Sequence, residues 1–247
     1  MLYFVCFWFI LFLLYSFLGY IVEIINVSFI EKKFVWNRGF LIGPYLPIYG
    51  FGSLIMIFFL SRYQDDLLVL FIMSCFYCGV LEYFTSLFME KIFKLRWWDY
   101  SDRKFNINGR VCLLNIFLFG VGGVIVVNFV QPFLSELLYM LPSTVTICLG
   151  ITLFVIFLLD VIESFYITTK LKINFNRYLN KDATNKIKEE VAKTLRMNMA
   201  FTSRLLKAFP NFSLNNKFKE FMDLFNKTRK DVRIKKLKRK IKDVKKK

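Results

Sequence analysis

The sequence predicts an all-α, polytopic integral membrane protein of about five transmembrane helices followed by a basic cytosolic helical tail. Three observations lead there. Of the 247 residues, 56% are hydrophobic and 19% aromatic, well above the apolar content of soluble domains. The apolar residues gather into runs on the scale of a helix that crosses a bilayer, about 20 residues for ~30 Å of hydrocarbon. The charge is also divided: residues 1–169 hold 10 Lys+Arg and 11 Asp+Glu, whereas residues 170–247 hold 25 and 7. Residues 1–169 therefore read as a nearly neutral transmembrane domain, and residues 170–247 as a basic amphipathic tail.

The first run, residues 2–22, contains no charged side chain. It lacks the basic n-region and small-residue cleavage site of a secretory signal, so it reads as a span. The second, roughly Tyr45 to Leu60, is shorter and starts among Pro44, Pro47, Gly50 and Gly52. Broken segments of this kind are tolerated at membrane depth where protein surrounds them or a cavity adjoins them. The third run, Leu67 to Met89, is interrupted only by Glu82. The fourth, Val111 to Val130, carries Gly120, Gly122 and Gly123, which permit close helix approach. The fifth, about Val145 to Thr169, contains Asp160 and Glu163.

Basic residues orient these spans, because Lys and Arg accumulate in cytoplasmic loops. The loops after spans one to four hold three, one, six and no Lys or Arg, and the basic tail follows. The alternation places the N-terminus outside and the tail in the cytosol. In the tail, Ile187, Val191 and Leu195 keep a spacing of four, as do Phe221 and Phe225, which predicts amphipathic helices interrupted near Pro210. A strongly basic segment close behind a span is suited to the anionic lipid of the inner leaflet. Nucleic acid is the less favoured partner, since no recognition motif accompanies the charge.

The chain contains no His, which excludes Ser–His, Cys–His and His–metal chemistry. Its five cysteines lie in apolar runs. Cys75 and Cys78 have CxxC spacing without a second pair and read as packing residues. No cofactor or metal site is implied.

Glu23–Phe34 (EIINVSFIEKKF) and Glu82–Phe93 (EYFTSLFMEKIF) match at five of twelve positions with an offset of 59. Each copy is followed by an Arg–Gly pair, Arg38-Gly39 in one and Gly109-Arg110 in the other. The pattern is that of a parallel repeat of two helical hairpins. Glu31 and Glu90 mark the interface, so Glu23 and Glu82 lie about 12 Å inside it. On the fifth span Glu163 falls at a similar level, about 10 Å in, with Asp160 one turn deeper. Carboxylates there face the interior, pair, or take up protons. Arg38 and Arg110 are the natural partners for a clasp; the alternative is a polar cavity for a cation, a proton or a headgroup.

The stretch Arg96–Arg110, RWWDYSDRKFNINGR, lies between spans three and four. Trp97, Trp98 and Tyr100 fit a membrane boundary, and Asn108-Gly109 a tight turn. With Asp99, Arg96 and Arg110 close by, this loop is a second candidate site.

The strings YSFLGYIVEII, NRGFLIGPYLPIYGFG and LEYFTSLFMEKIFKLRWWDYSDRKFNINGRVCLLN together resemble the ABC-transporter type IV family, the CmpB-like permease-like proteins of Gram-positive bacteria. The resemblance covers roughly residues 10–125 and is carried by the long WWDYS…FN-x-x-GR string. It implies a multi-pass protein of the bacterial cytoplasmic (cell) membrane that acts as a transport permease. The chain has no Walker A pattern, so any ATPase would be a separate subunit. A membrane-embedded enzyme, a lipid-headgroup binder and a scaffold that recruits partners through its tail are the competing expectations. Lack of His weakens the enzyme without excluding it. Oligomeric state and substrate have no signature in the sequence.

The orientation is directly testable. Reporter fusions after Asp65 and near Leu137 should behave as external, and fusions after Lys33 and Arg103 as cytosolic. A cytosolic signal at Asp65 would refute the arrangement.

Overall fold

In the computed structural model, which describes residues 1–32, 34, 39–93 and 96–180, the chain is built of helices. Two compact units are present, Met1–Ser164 and Phe165–Lys247. Arg38 and the tail beyond residue 180 lie outside the described residues, and with them the predicted amphipathic tail helices.

Helix α1 runs Leu2–Glu31 and ends where Lys32 adopts a left-handed conformation, φ 50. Helix α2 spans Pro47–Leu60, with its proline in the first turn, where no intrahelical N–H is needed. Helix α3, Leu67–Phe93, is opened by Asp66, whose carboxylate accepts from the Val69 amide at 3.0 Å. A short antiparallel ribbon follows, β1 (Asn106–Ile107) against β2 (Val111–Cys112). Helix α4 (Leu113–Ile125) continues through a π-turn at Val126–Val130 into α5 (Gln131–Tyr139). Helix α6 spans Ser143–Asn180.

Four segments are long and apolar enough to cross a bilayer: Leu2–Phe29, Leu67–Phe93, Leu113–Tyr139 and Ser143–Lys170. The fourth apolar run thus reaches well past Val130. Pro132 does not end it, because the π-turn leaves that proline in the first turn of α5.

The predicted second span is the exception, with 14 residues or about 21 Å. Its neighbours show why. The Leu46 amide donates to the carbonyl of Ser16, in the middle of α1, at 2.9 Å. Farther along, Phe58 meets Trp8, ring centroids 4.5 Å apart. Helix α2 therefore runs antiparallel to α1 from mid-depth to the N-terminal end. The residues before it, 39–46, travel to mid-depth without regular structure. In lipid alone such a path would strand its amides; here Asp160 takes the amides of Ile42 and Gly43, and the Ser16 carbonyl takes that of Leu46.

Two apolar clusters hold these helices together. Phe7, Ile10, Leu11 and Tyr15 of α1 pack with Ile57 of α2 and with Leu134 and Leu138 of α5. Met56 and Leu60 of α2 pack with Leu70 and Cys78 of α3 and with Val127. Helices α1–α2 and α3–α4 are adjacent pairs.

Glycines set the close approaches. A Cβ at Gly123 would stand 2.0 Å from the Ser74 hydroxyl and 2.9 Å from the Met56 sulfur, whereas one at Gly122 would meet nothing within 4 Å. Only two of the three clustered glycines, Gly120 and Gly123, face a neighbouring helix. Gly123→Ala should therefore destabilise the protein in detergent by about 1–3 kcal/mol through overpacking. Gly122→Ala should be neutral or stabilising by up to about 1 kcal/mol through helix propensity. Equal thermal shifts for the two variants would contradict this packing.

Candidate functional site

The loop Arg96–Cys112 is the first part of the site, and its fold follows from its polar residues. Asn108 and Gly109 both take positive φ, 52 and 66, as the centre of the turn closed by the Arg110 amide on the Ile107 carbonyl at 3.0 Å. Gly109 is required twice over, since a Cβ there would also lie 2.4 Å from both Asp99 Oδ1 and Ser101 Oγ. The Asn106 side chain ties the loop across itself: its amide donates to the Arg103 carbonyl at 2.8 Å, and its oxygen accepts from the Gly109 amide at 2.9 Å.

Within this frame the predicted residues take different roles. Trp97 is buried, 3% exposed, and packs edge-on against Phe93 and Phe40. It is a wedge in the protein rather than a ring at the bilayer surface. The Trp98 indole donates to the Arg110 carbonyl at 3.0 Å. Asn108 donates to the Tyr83 hydroxyl at 3.0 Å. Asp99 accepts from the Ser101 amide and hydroxyl at 3.0 and 2.6 Å and pairs with Arg96 at 3.2 Å. Partial burial works against the Asp99 carboxylate, but Ser101 and Arg96 together outweigh it and hold its pKa below the ordinary value. By linkage, its contribution to loop stability is present above the ordinary carboxyl range and lost as pH falls through the lowered value.

Tyr100 turns inward and connects the loop to the buried carboxyls. Its hydroxyl donates to Glu82 Oε1 at 3.2 Å, and the same oxygen accepts from the Asn115 amide of α4 at 3.3 Å. Glu82 is 6% exposed. Its other oxygen, Oε2, is buried without a hydrogen-bond partner among the described residues. Glu23 of α1 accepts from the Tyr49 hydroxyl of α2 at 3.1 Å. Burial, and then the charges of Glu82 and Glu23, push the Tyr100 phenol well above its ordinary range. The charges of both carboxyls reach one phenol, so α1 and α3 bring them near each other.

The expected Glu82–Arg110 clasp does not form. Arg110 Nη1 lies 2.8 Å from Glu90 Oε2 and 3.2 Å from the Ser86 hydroxyl, and its guanidinium sits 5.8 Å from the Tyr83 ring centroid. The Glu90 contact is a close charge pairing and not an aligned hydrogen bond. Arg96 approaches the same carboxylate at 3.5 Å. Among the described residues, Glu82 is paired with no cation.

Asp160 and Glu163 do not join this centre. Asp160 accepts from the amides of Ile42 (2.8 Å) and Gly43 (2.7 Å), from the Tyr45 hydroxyl and from the Ser164 hydroxyl (2.9 Å). It is the anchor of the irregular segment before α2. Glu163 is exposed on α6, contrary to the expectation of an inward carboxylate; three residues beyond Asp160, it is turned about 60° from it around the helix axis.

Sequence reasoning missed Tyr49, Asn115 and Tyr45 as polar partners. Asn115 left a signal, being the one polar side chain near the start of an otherwise apolar span. The tyrosines left none among 12 in the chain.

A bundle of apolar helices with a carboxyl centre inside it defines a polytopic α-helical membrane protein. The family model described as "Putative ABC-transporter type IV" matches residues 10–165, and the chain belongs to this family. No match was found among curated proteins or among solved structures.

The two α6 carboxylates should respond oppositely to substitution. Asp160→Ala strands two amides and two hydroxyls and should cost about 2–5 kcal/mol, because bonds to a charged acceptor are worth ~1.5–3 kcal/mol each before compensation. Glu163→Gln should stay within about 0.5 kcal/mol. Thermal unfolding in detergent distinguishes them, and comparable losses would refute the assignment.

Proposed function

We propose that this protein is the membrane-spanning, permease-like component of a transport system, and that the Glu23–Glu82 centre is its working site on the cytosolic side. The single observation that carries the reading is Glu82: a carboxyl 6% exposed, with one oxygen unpartnered and no cation among its described neighbours. A group kept for stability alone is normally satisfied, since an unpaired buried polar group is costly. Side chains from α1, α2, α3, α4 and the loop converge there, so a change at Glu82 acts on every element of the centre. The family description supports a transport role, and the lack of a Walker A pattern leaves ATP hydrolysis to a separate subunit.

In this reading the transmembrane domain covers residues 1–169, the N-terminus is outside, and the basic tail, residues 170–247, lies against anionic inner-leaflet lipid of the bacterial cytoplasmic membrane. The headgroup-binding and enzyme alternatives are less favoured. Arg96 and Arg110, the cations they need, are already engaged by Asp99 and Glu90.

The test is complementation of a deletion strain. Glu82→Gln preserves shape and the acceptor for Tyr100 and Asn115, so its membrane abundance and melting temperature should match wild type, and it should fail to complement. Full complementation by Glu82→Gln would remove Glu82 from the working site.

A further inference from the structure

Helix α3 carries a row of small and polar side chains at every fourth position. Ser74, Cys78, Glu82 and Ser86 are all buried, at 0, 7, 6 and 3% exposure, and Glu90 continues the row to the surface. The i±4 spacing makes this one ridge on the helix, and from Glu82 to Glu90 it is about 12 Å long. A row of small residues is usually packing. This one differs because two of its four buried side chains, Glu82 through Oε2 and Ser74 through Oγ, hold a buried polar atom without a hydrogen-bond partner among the described residues.

The surroundings decide what Glu82 can bind. Tyr100 from the loop and Asn115 from α4 touch it, and Glu23 from α1, Tyr49 from α2 and Cys78 on its own helix lie within electrostatic reach. These are acidic or neutral, and Tyr100 and Asn115 donate to Oε1 alone. An ionised carboxylate buried to this degree, with no cation among the described residues beside it, is costly, and a carboxyl in that position is neutralised by binding a proton. A proton on Oε2 removes one charge, leaves Oε1 as the double acceptor it already is, and needs no additional space. Toward the surface, Arg110 Nη1 contacts both Ser86 and Glu90, which places its guanidinium against the Ser86–Glu90 end of the row.

We infer that Glu82 is a proton-binding site, reached along the Ser86–Glu90 end of this row, with the Arg110–Glu90 pair as the bolt that closes that end. The step is addition of H⁺ from hydronium to Oε2, releasing water, and its reversal. The inference rests on the transport reading for its purpose, but its chemistry is measured separately.

The experiment is carbodiimide labelling of the full chain in native membranes, read by peptide mass spectrometry. A protonated carboxyl in an apolar site adds across dicyclohexylcarbodiimide with no atom lost, giving a stable N-acylurea. Glu82 should be the principal adduct, absent in Glu82→Gln and retained in Glu82→Asp. It should fall at least about tenfold as the pH is raised and the proton is lost. A water-soluble carbodiimide should leave Glu82 unmodified in wild type and label it in the Arg110→Gln/Glu90→Gln double variant, which removes both charges together. Modification of other carboxyls with none at Glu82, or a yield independent of pH, would overturn the proton site. Protection by Na⁺ at fixed pH would replace the proton with a metal cation. Equal access of the soluble reagent in wild type would overturn the bolt. Glu82 labelling as expected, combined with complementation by Glu82→Gln, would support the proton site while removing the transport reading.

Discussion

Inside a bilayer there is no water to solvate a backbone amide, and the segment before α2 meets that constraint through one side chain. Residues 39–46 descend to the middle of α1 without helical hydrogen bonding, in a region where each orphan amide costs several kcal/mol. Asp160 answers with two oxygens and four donors. Because that segment is held at depth, α2 can begin at Pro47 beside the centre of α1 and bring Tyr49 to Glu23. The position of one half of the carboxyl centre therefore depends on a contact made by α6.

The other half depends on the loop. Asn106, Asn108 and Gly109 fold Arg96–Cys112 back on itself, Trp97 wedges it between Phe40 and Phe93, and Tyr100 is delivered to Glu82 as a consequence. The same fold sends Arg110 to Glu90 and Ser86. A guanidinium nearer to Glu82 would have made a conventional buried ion pair, stable only if fully satisfied. Its displacement by one to two turns leaves a carboxyl surrounded by neutral donors, a different chemical object.

The acids of the membrane domain thus divide by their partners. Asp160 is satisfied by backbone and hydroxyl donors, Asp99 and Glu90 pair with arginines, and Glu163 lies exposed on α6. Glu82 alone combines deep burial with an unpartnered oxygen among the described residues. Similar spacing from the interface made Glu82 and Glu163 look alike in the sequence, with Asp160 one turn deeper; rotation about the helix axis and the identity of the facing element separate them.

By itself the sequence determined what depends on composition and period: an all-α membrane protein, its long spans and the Asn-Gly turn. Apolar runs and turn residues act locally, so a bilayer reads them directly from the chain. Only tertiary structure decided that α2 stops short, that Gly122 faces no neighbour while Gly123 does, that Arg110 chooses Glu90, and that Tyr49, Tyr100 and Asn115 complete the centre. Each of those outcomes is a choice among partners distant in sequence, made by helix rotation and close packing, and no local pattern in the chain encodes it.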